Sequence, residues 1–268
     1  MNKTIGLIAG NRAFPIHVAR AARRRGWLVA AVGLREETDP ALESEVDRMH
    51  WVTLSELGGI PDWLKGAGVR EVILAGQIQA RRLVQSGQSF DPATRQLLAR
   101  LPDRSGDSAM KLAVRVLQSK GFRVLHSAFL LKEWIPVRGD LTRLIPMADQ
   151  RKELRSGLRL ARKLAAWGVG QTLILKQGAV AAVEGMEGTD ETIERAGRIA
   201  GPGCVVVKAC GRGKDMRFDI PVVGEETLRR LAAVQAAGIG VEAGRTLLFD
   251  RPALIALADR LGLFVTAL

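Results

Sequence analysis

Thr4-Ile5-Gly6-Leu7-Ile8-Ala9-Gly10-Asn11-Arg12-Ala13-Phe14-Pro15 is a short apolar run of β character, closed by Gly10-Asn11 and followed by a proline placed for the first turn of a helix over 16–25. It reads as a strand leading into a helix. Arg23, Arg24 and Arg25 then sit in the last turn before Gly26, where cations complement the helix dipole. Residues 27–34 form a second, nearly continuous apolar run, the pattern of a parallel strand buried on both faces. A helix over 40–47, a short strand near 50–54, a helix over 61–65 and a strand over 71–76 follow with short loops between them. Strand and helix in alternation predict an open parallel sheet wound on both sides, so the fold class is α/β with a Rossmann-like first domain.

In such a sheet ligands lie beyond the carboxyl ends of the strands, which puts Gly10, Asn11 and Arg12 on one rim with Gly76, Gln77 and the rest of the loop to Arg82. Both loops are candidate binding loops. A helix over 93–101, a long amphipathic helix ending at Lys120-Gly121 and a strand over 122–126 complete this half. His17, His50 and His126 have no second ligand at metal spacing and are read as structural.

Between 131 and 148 the periodicity lapses and Pro136, Gly139 and Pro146 accumulate, so the domain boundary is placed there, with domains at 1–134 and 135–268. A helix over 149–166 opens the second domain. Leu154, Leu158, Ala161 and Ala165 form its apolar stripe, and Arg151, Arg155, Arg159, Arg162 and Lys163 a basic surface that suits water, phosphates or an acidic bilayer. A hairpin at 171–183 turns at Lys176-Gln177-Gly178. Thr189 is expected to cap a helix whose first turn holds Asp190 and Glu191. A helix over 225–237, strands at 239–243 and 246–249, a helix capped by Asp250 and a strand over 263–267 finish a mixed α/β domain.

Val205-Val206-Val207-Lys208-Ala209-Cys210-Gly211-Arg212-Gly213-Lys214-Asp215-Met216-Arg217-Phe218-Asp219-Ile220-Pro221 lies within that second half. Four cations (Lys208, Arg212, Lys214, Arg217) and two carboxylates (Asp215, Asp219) share one turn between two apolar runs. This composition can hold a polyphosphate and a divalent cation together, although a solvated connection has the same look.

The totals narrow the field. In 268 residues with 47% hydrophobic and 25% charged side chains there is enough apolar material for a real core. The net charge of +12 favours an anionic partner, whether nucleotide, nucleic acid or acidic membrane surface. Aromatic residues are only 4%, tyrosine is absent and no nucleic-acid-binding motif occurs, so nucleic acid is disfavoured. Cys204 and Cys210 lack the second pair of a zinc site and read as reduced, buried thiols. No interval between charges is long enough to span a bilayer, and Met1-Asn2-Lys3-Thr4 runs straight into a strand pattern, so a cytoplasmic protein without a signal peptide is expected. Gly10-Asn11-Arg12-Ala13 lacks the three-glycine dinucleotide spacing, and Gly211-Arg212-Gly213-Lys214 lacks the spacing and following Ser/Thr of a P-loop.

Four segments in this order, residues 8–15, Glu187-Gly188-Thr189-Asp190, the Asp-x-Arg-Phe-Asp-x-Pro core at 215–221, and Val241-Glu242-Ala243-Gly244-Arg245-Thr246, make the chain resemble the UDP-2,3-diacylglucosamine pyrophosphatases of the LpxI type along essentially its whole length. The resemblance implies a Rossmann-like N-terminal domain and a C-terminal domain of family-specific fold, with the substrate bound in a cleft between them. It also implies Mg2+-dependent hydrolysis of UDP-2,3-diacylglucosamine to lipid X and UMP in lipid A synthesis, by a protein peripheral to the cytoplasmic face of the inner membrane. A homodimer is compatible with it. The family's required aspartate matches Asp215, with Asp219 the close second, and Asp215 is the expected metal ligand. Lys208, Lys214 and Arg217 would contact phosphate, while Gly10, Asn11, Arg12, Gly76 and Gln77 would hold the nucleotide or sugar phosphate. Thr189 and Asp190 would line the cleft. Arg12 stands where the family commonly has glycine, Ala80-Arg81 where it has Arg-Pro, and Lys214 where it often has glutamine. A hydrolase of another nucleotide sugar is the alternative within the same fold.

Overall fold

Near-continuous apolar runs must be covered on both faces, and the first half of the chain meets that demand with five parallel strands. In the computed structural model, which describes residues 3–76, 90–101, 106–211 and 213–268, they are β1 (Thr4–Ala9), β2 (Leu28–Leu34), β3 (Arg48–Val52), β4 (Glu71–Ala75) and β5 (Arg123–Val124). Their order is β3-β2-β1-β4-β5, with every pairing parallel. Among the helices of this half are α1 (Phe14–Arg24), α2 (Ile60–Gly66), α3 (Pro92–Leu98) and α4 (Gly106–Ser119). Side chains alternate along a strand, so Ala30, Val32 and Leu34 face one way and gather with Leu64 of α2 and with Val114 and Leu117 of α4. Val29 and Ala31 face the other way, and α1 packs against β1, β2 and β4. Residues Met1–Leu131 and Met216–Phe218 form this unit, and Phe218 packs against its core.

Lys132–Asp215 and Asp219–Leu268 form the second unit. Its six-stranded sheet runs β6 (Gly139–Asp140), β13 (Phe264–Ala267), β11 (Gly238–Val241), β9 (Val205–Lys208), β7 (Thr172–Lys176), β8 (Ala179–Val183). β9, β11 and β13 are mutually parallel and the outer pairings antiparallel. A short parallel pair, β10 (Val222–Val223) and β12 (Leu247–Leu248), stands apart. Val205 and Val207 turn towards Leu154, Leu158 and Ala161 of α5 (Ala148–Ala166). Val206 turns to the opposite face, among Ile193 and Ala196 of α6 (Thr189–Ala200), Leu228 and Leu231 of α7 (Glu225–Ala233) and Leu254 and Leu257 of α8 (Arg251–Leu261). By the same alternation Lys208 belongs to the α6 face.

The α/β class stands, and several elements differ from the sequence reading for local reasons. The stretch after Pro40 is a 3₁₀ helix (Pro40–Glu45) rather than an α-helix over 40–47, entered through Asp39, whose carboxylate accepts from the Ala41 amide. β5 is only two residues long because the chain turns at His126, whose Nδ1 accepts the Ala128 amide. α7 stops at Ala233 rather than 237 where Gln235 takes a positive φ and Ala237 bonds to Cys204. Gly188, not Thr189, is the N-cap residue of α6, and its φ of 86° is one that glycine takes without penalty. Asp250 does precede α8 but lies in the left-handed region and makes no side-chain cap.

Gly76 is a point of the first unit where the close neighbours are backbone. Its φ is +87°, and a Cβ there would lie 2.6 Å from the Asn11 carbonyl oxygen and 2.8 Å from the Gly10 carbonyl carbon. Since backbone cannot yield as a side-chain tip can, Gly76→Ala is expected to destabilise this unit by about 2 kcal/mol or more, read as a lowered denaturation midpoint. A midpoint equal to wild type would show that Gly76 does not lie on Gly10-Asn11 as described.

Candidate functional site

In the first unit Gly76 meets Gly10-Asn11 at the carboxyl ends of adjacent strands. The Gly10 amide donates to the Ala75 carbonyl (2.8 Å), and the absent side chain of Gly76 lets its backbone lie on Gly10-Asn11. Thr38 ties in β2, its buried hydroxyl donating to the Ala9 carbonyl (2.7 Å) while accepting from the Leu34 amide (2.9 Å). Asn11 reaches towards Glu37, with Nδ2 at 3.5 Å from Oε2. Arg12 is exposed and carries a φ of +63°. Gln77 lies outside the described residues, as does Arg212. Met216–Phe218, including Arg217, belongs to this unit, and the Met216 carbonyl accepts from both the amide (3.2 Å) and the hydroxyl (3.0 Å) of Ser127.

The second unit carries a denser arrangement. Lys208 ends β9 with 6% of its surface exposed, and a buried ammonium needs both hydrogen-bond acceptors and a counter-charge. Its Nζ donates to Thr189 Oγ1 (2.6 Å) and to Thr172 Oγ1 (3.4 Å), Thr172 being its cross-strand partner in the β7–β9 register. Thr189 passes the interaction on, donating to Glu184 Oε1 (2.9 Å). Burial alone pushes the Glu184 carboxyl up. The charge of Lys208, the hydroxyls of Thr172 and Thr189 and the Gln171 amide together outweigh that and hold it below the ordinary glutamate value.

Gln171 joins this group to the charged turn. Its backbone amide donates to Glu184 Oε2 (3.1 Å) and its side-chain Nε2 to Asp219 Oδ1 (2.6 Å). The other Asp219 oxygen pairs with Lys214 Nζ (2.9 Å), and the Asp219 amide closes the turn on the Asp215 carbonyl (2.9 Å). The turn is also anchored where it begins. Glu242, 4% exposed, accepts from the Cys210 amide (2.8 Å) and from Arg162 Nε (2.9 Å). Gly211 (φ +74°) lies so near the end of α5 that a Cβ would fall 2.8 Å from the Ala166 nitrogen.

Thus Lys208 and Thr189 come together, as do Lys214, Asp219 and the backbone of Asp215, and Gly10-Asn11 with Gly76. Asp190 is half-buried in the first turn of α6. Glu184, Gln171 and the anchoring role of Glu242 escaped the sequence reading. Arg162, read there as part of a basic surface, turns inward to Glu242. A buried strand-end lysine was the available signal, because it obliges a carboxylate nearby. Among the described residues no three His, Cys, Asp or Glu side chains gather as a metal cage. A Mg2+ shared with substrate phosphates needs only one or two carboxylates, and two aspartates four residues apart on one turn fit that requirement. Cys204 and Cys210 are buried, and His50 stacks on Trp63.

Glu184→Ala would leave Lys208 with hydroxyl partners but without this carboxylate, at a cost of about 3 kcal/mol in urea denaturation. Because the native carboxyl titrates below its unfolded value, the stabilisation is complete above the ordinary glutamate range and lost as pH falls through the depressed one. Glu184→Gln should therefore lose less stability than wild type on acidification across that interval. Equal losses would exclude the coupling.

Residues 4–134 match the family model described as the LpxI N-terminal domain, and residues 137–266 the one described as the LpxI C-terminal domain. A relative from Caulobacter vibrioides, the UDP-2,3-diacylglucosamine pyrophosphatase LpxI, is 30% identical over 275 residues, covering 98% of this chain and 96% of its own length. Solved structures share much less. The biotin carboxylase domain of the Hydrogenobacter thermophilus 2-oxoglutarate carboxylase is 13% identical with a TM-score of 0.28, and its alignment covers 75% of this chain and 41% of that one. The biotin carboxylase subunit of a pyruvate carboxylase is 14% identical with a TM-score of 0.24, covering 75% and 42%. Such scores bear no weight. The two domain models and the full-length relative do, and the chain belongs to the LpxI family.

Proposed function

We propose that this protein is a UDP-2,3-diacylglucosamine pyrophosphatase of lipid A synthesis, which hydrolyses the pyrophosphate bond to give 2,3-diacylglucosamine 1-phosphate and UMP with Mg2+. The observation that carries the reading is the relative of that name, aligned along 98% of the chain. The site's chemistry supports it. Cleaving a phosphoric anhydride needs charge neutralisation on two phosphoryl groups and an oriented water, and the turn at 208–219 combines cations with two carboxylates.

Asp215 is assigned the metal or the orientation of the water. Asp219 supports it, because both of its oxygens are already engaged by Gln171 and Lys214. Lys208, Lys214 and Arg217 contact phosphate oxygens, and Thr189 and Asp190 line the site. Gly10, Asn11, Arg12, Gly76 and Gln77 hold the nucleotide or the sugar phosphate. Mg2+, when bound, polarises the phosphoryl oxygens. The water oxygen forms a new bond to the β-phosphorus, the bond from that phosphorus to the bridging oxygen breaks, and UMP departs with the bridging oxygen. The first unit also has an apolar cavity of about 110 Å3, lined by Ile8, Leu57, Leu74, Leu97 and Met110 among others, which suits hydrocarbon. Among the described residues no helix is long and apolar enough to cross a membrane, and the protein is taken to work from the cytoplasmic face of the inner membrane as a peripheral protein. A homodimer is compatible with this reading.

UMP release from UDP-2,3-diacylglucosamine is the test. It should require Mg2+, stop with EDTA, and fall by roughly a hundredfold to a thousandfold or more in Asp215→Ala. Full activity in that variant with Asp219→Ala inactive would move the role to Asp219. Turnover of non-acylated UDP-sugars at the rate of the acylated one would point to a different nucleotide-sugar hydrolase.

A further inference from the structure

The helix α5 has an outward face that the chemistry above does not use. Its inward residues Leu154, Gly157, Leu158, Ala161 and Ala165 are buried. On the opposite side Lys152, Arg155, Arg159 and Lys163 are exposed at spacings of three and four, so they share one stripe along the helix. Arg151 and Arg162 are not part of it, being committed to Asp140 (2.8 Å) and Glu242 (2.9 Å). Among the described residues, the stripe's ion pair is Lys152 with Asp149, and both of its side chains are exposed.

Both ends of the helix carry apolar side chains that the fold leaves in water. Leu144, Ile145 and Met147 are 48%, 52% and 69% exposed just before its start, and Trp167 is 74% exposed just after its end. Nineteen residues set these ends about 28 Å apart. The apolar face of α5 is already taken by the protein core, so what is left outward is a row of cations with exposed apolar side chains, a tryptophan among them, beyond its ends, a composition that suits an anionic membrane interface.

We propose that this face of α5, with residues 144–147 and Trp167 at its ends, is the surface by which the protein lies on an anionic bilayer. The stripe meets lipid phosphates, and the terminal apolar groups enter the boundary between headgroups and acyl chains. A nucleic acid would satisfy the cations but offers nothing for Leu144, Ile145 and Met147, whereas a bilayer satisfies both. The inference deepens the peripheral-membrane part of the function proposed above by naming the surface and the lipid charge it needs.

The full-length protein is to be sedimented with vesicles of phosphatidylcholine alone and of phosphatidylcholine with phosphatidylglycerol, without substrate. Wild type should bind the anionic vesicles and be released by salt. Each cation near the surface contributes roughly fivefold in partitioning, so Arg155→Glu with Arg159→Glu should lower binding by about 25-fold or more. Lys152→Glu with Lys163→Glu should do the same, and Trp167→Ser should weaken binding to the anionic vesicles at low salt. All should turn over detergent-solubilised substrate like wild type, so inactivity of every form would count against the proposed function and not against this surface. Equal binding to neutral vesicles, undiminished binding in both charge-reversal pairs, or a wild-type dimer that Trp167→Ser dissociates without changing vesicle binding would overturn the proposal.

Discussion

Burying the Lys208 ammonium at the end of β9 is the constraint on which the second unit's polar architecture depends. An unpaired charge there would cost several kcal/mol, so the surroundings must supply acceptors and an anion. They come from three separate stretches: Thr172 at the start of β7, Thr189 at the start of α6, and Glu184 in the connection between β8 and α6. Satisfying one lysine therefore fixes where a strand begins and where a helix begins. Strand alternation sets the direction, because Val205 and Val207 fill the α5 side and leave Val206 and Lys208 to the other.

Gln171 carries that order into the turn with the two aspartates. One residue bonds Glu184 through its backbone and Asp219 through its side chain, so the carboxylate that neutralises Lys208 and the one that neutralises Lys214 are positioned together. Glu242 and Gly211 hold the turn's entry, the first by accepting the Cys210 amide and the second by its close approach to α5. Preorganised carboxylates and cations require no rearrangement when a phosphoryl group arrives, which is the property an anhydride hydrolase needs.

Much of this was legible in the sequence, and the remainder was not for identifiable reasons. The parallel first sheet was readable because residues 28–34 are apolar on both faces, and the charged turn because its composition is unusual. The network around Lys208 was not, because Thr189 and Thr172 lie 19 and 36 residues before the lysine and meet it only through sheet register and a helix start. Thr189 shows the limit well: its spacing suits a cap, but Gly188 takes the cap position and frees the hydroxyl for Lys208 and Glu184. Arg162 looked like the other basic residues of its helix, and only the fold distinguishes it from Arg155 and Arg159.

Under the proposed function, the turn that carries Asp215 orients a water against the phosphorus nearer the sugar. Hydrolysis of UDP-2,3-diacylglucosamine in oxygen-18 water, followed by mass spectrometry of both products, tests it most directly. One labelled oxygen in 2,3-diacylglucosamine 1-phosphate with unlabelled UMP is the predicted result. Label in UMP, or no hydrolysis at all, would contradict it.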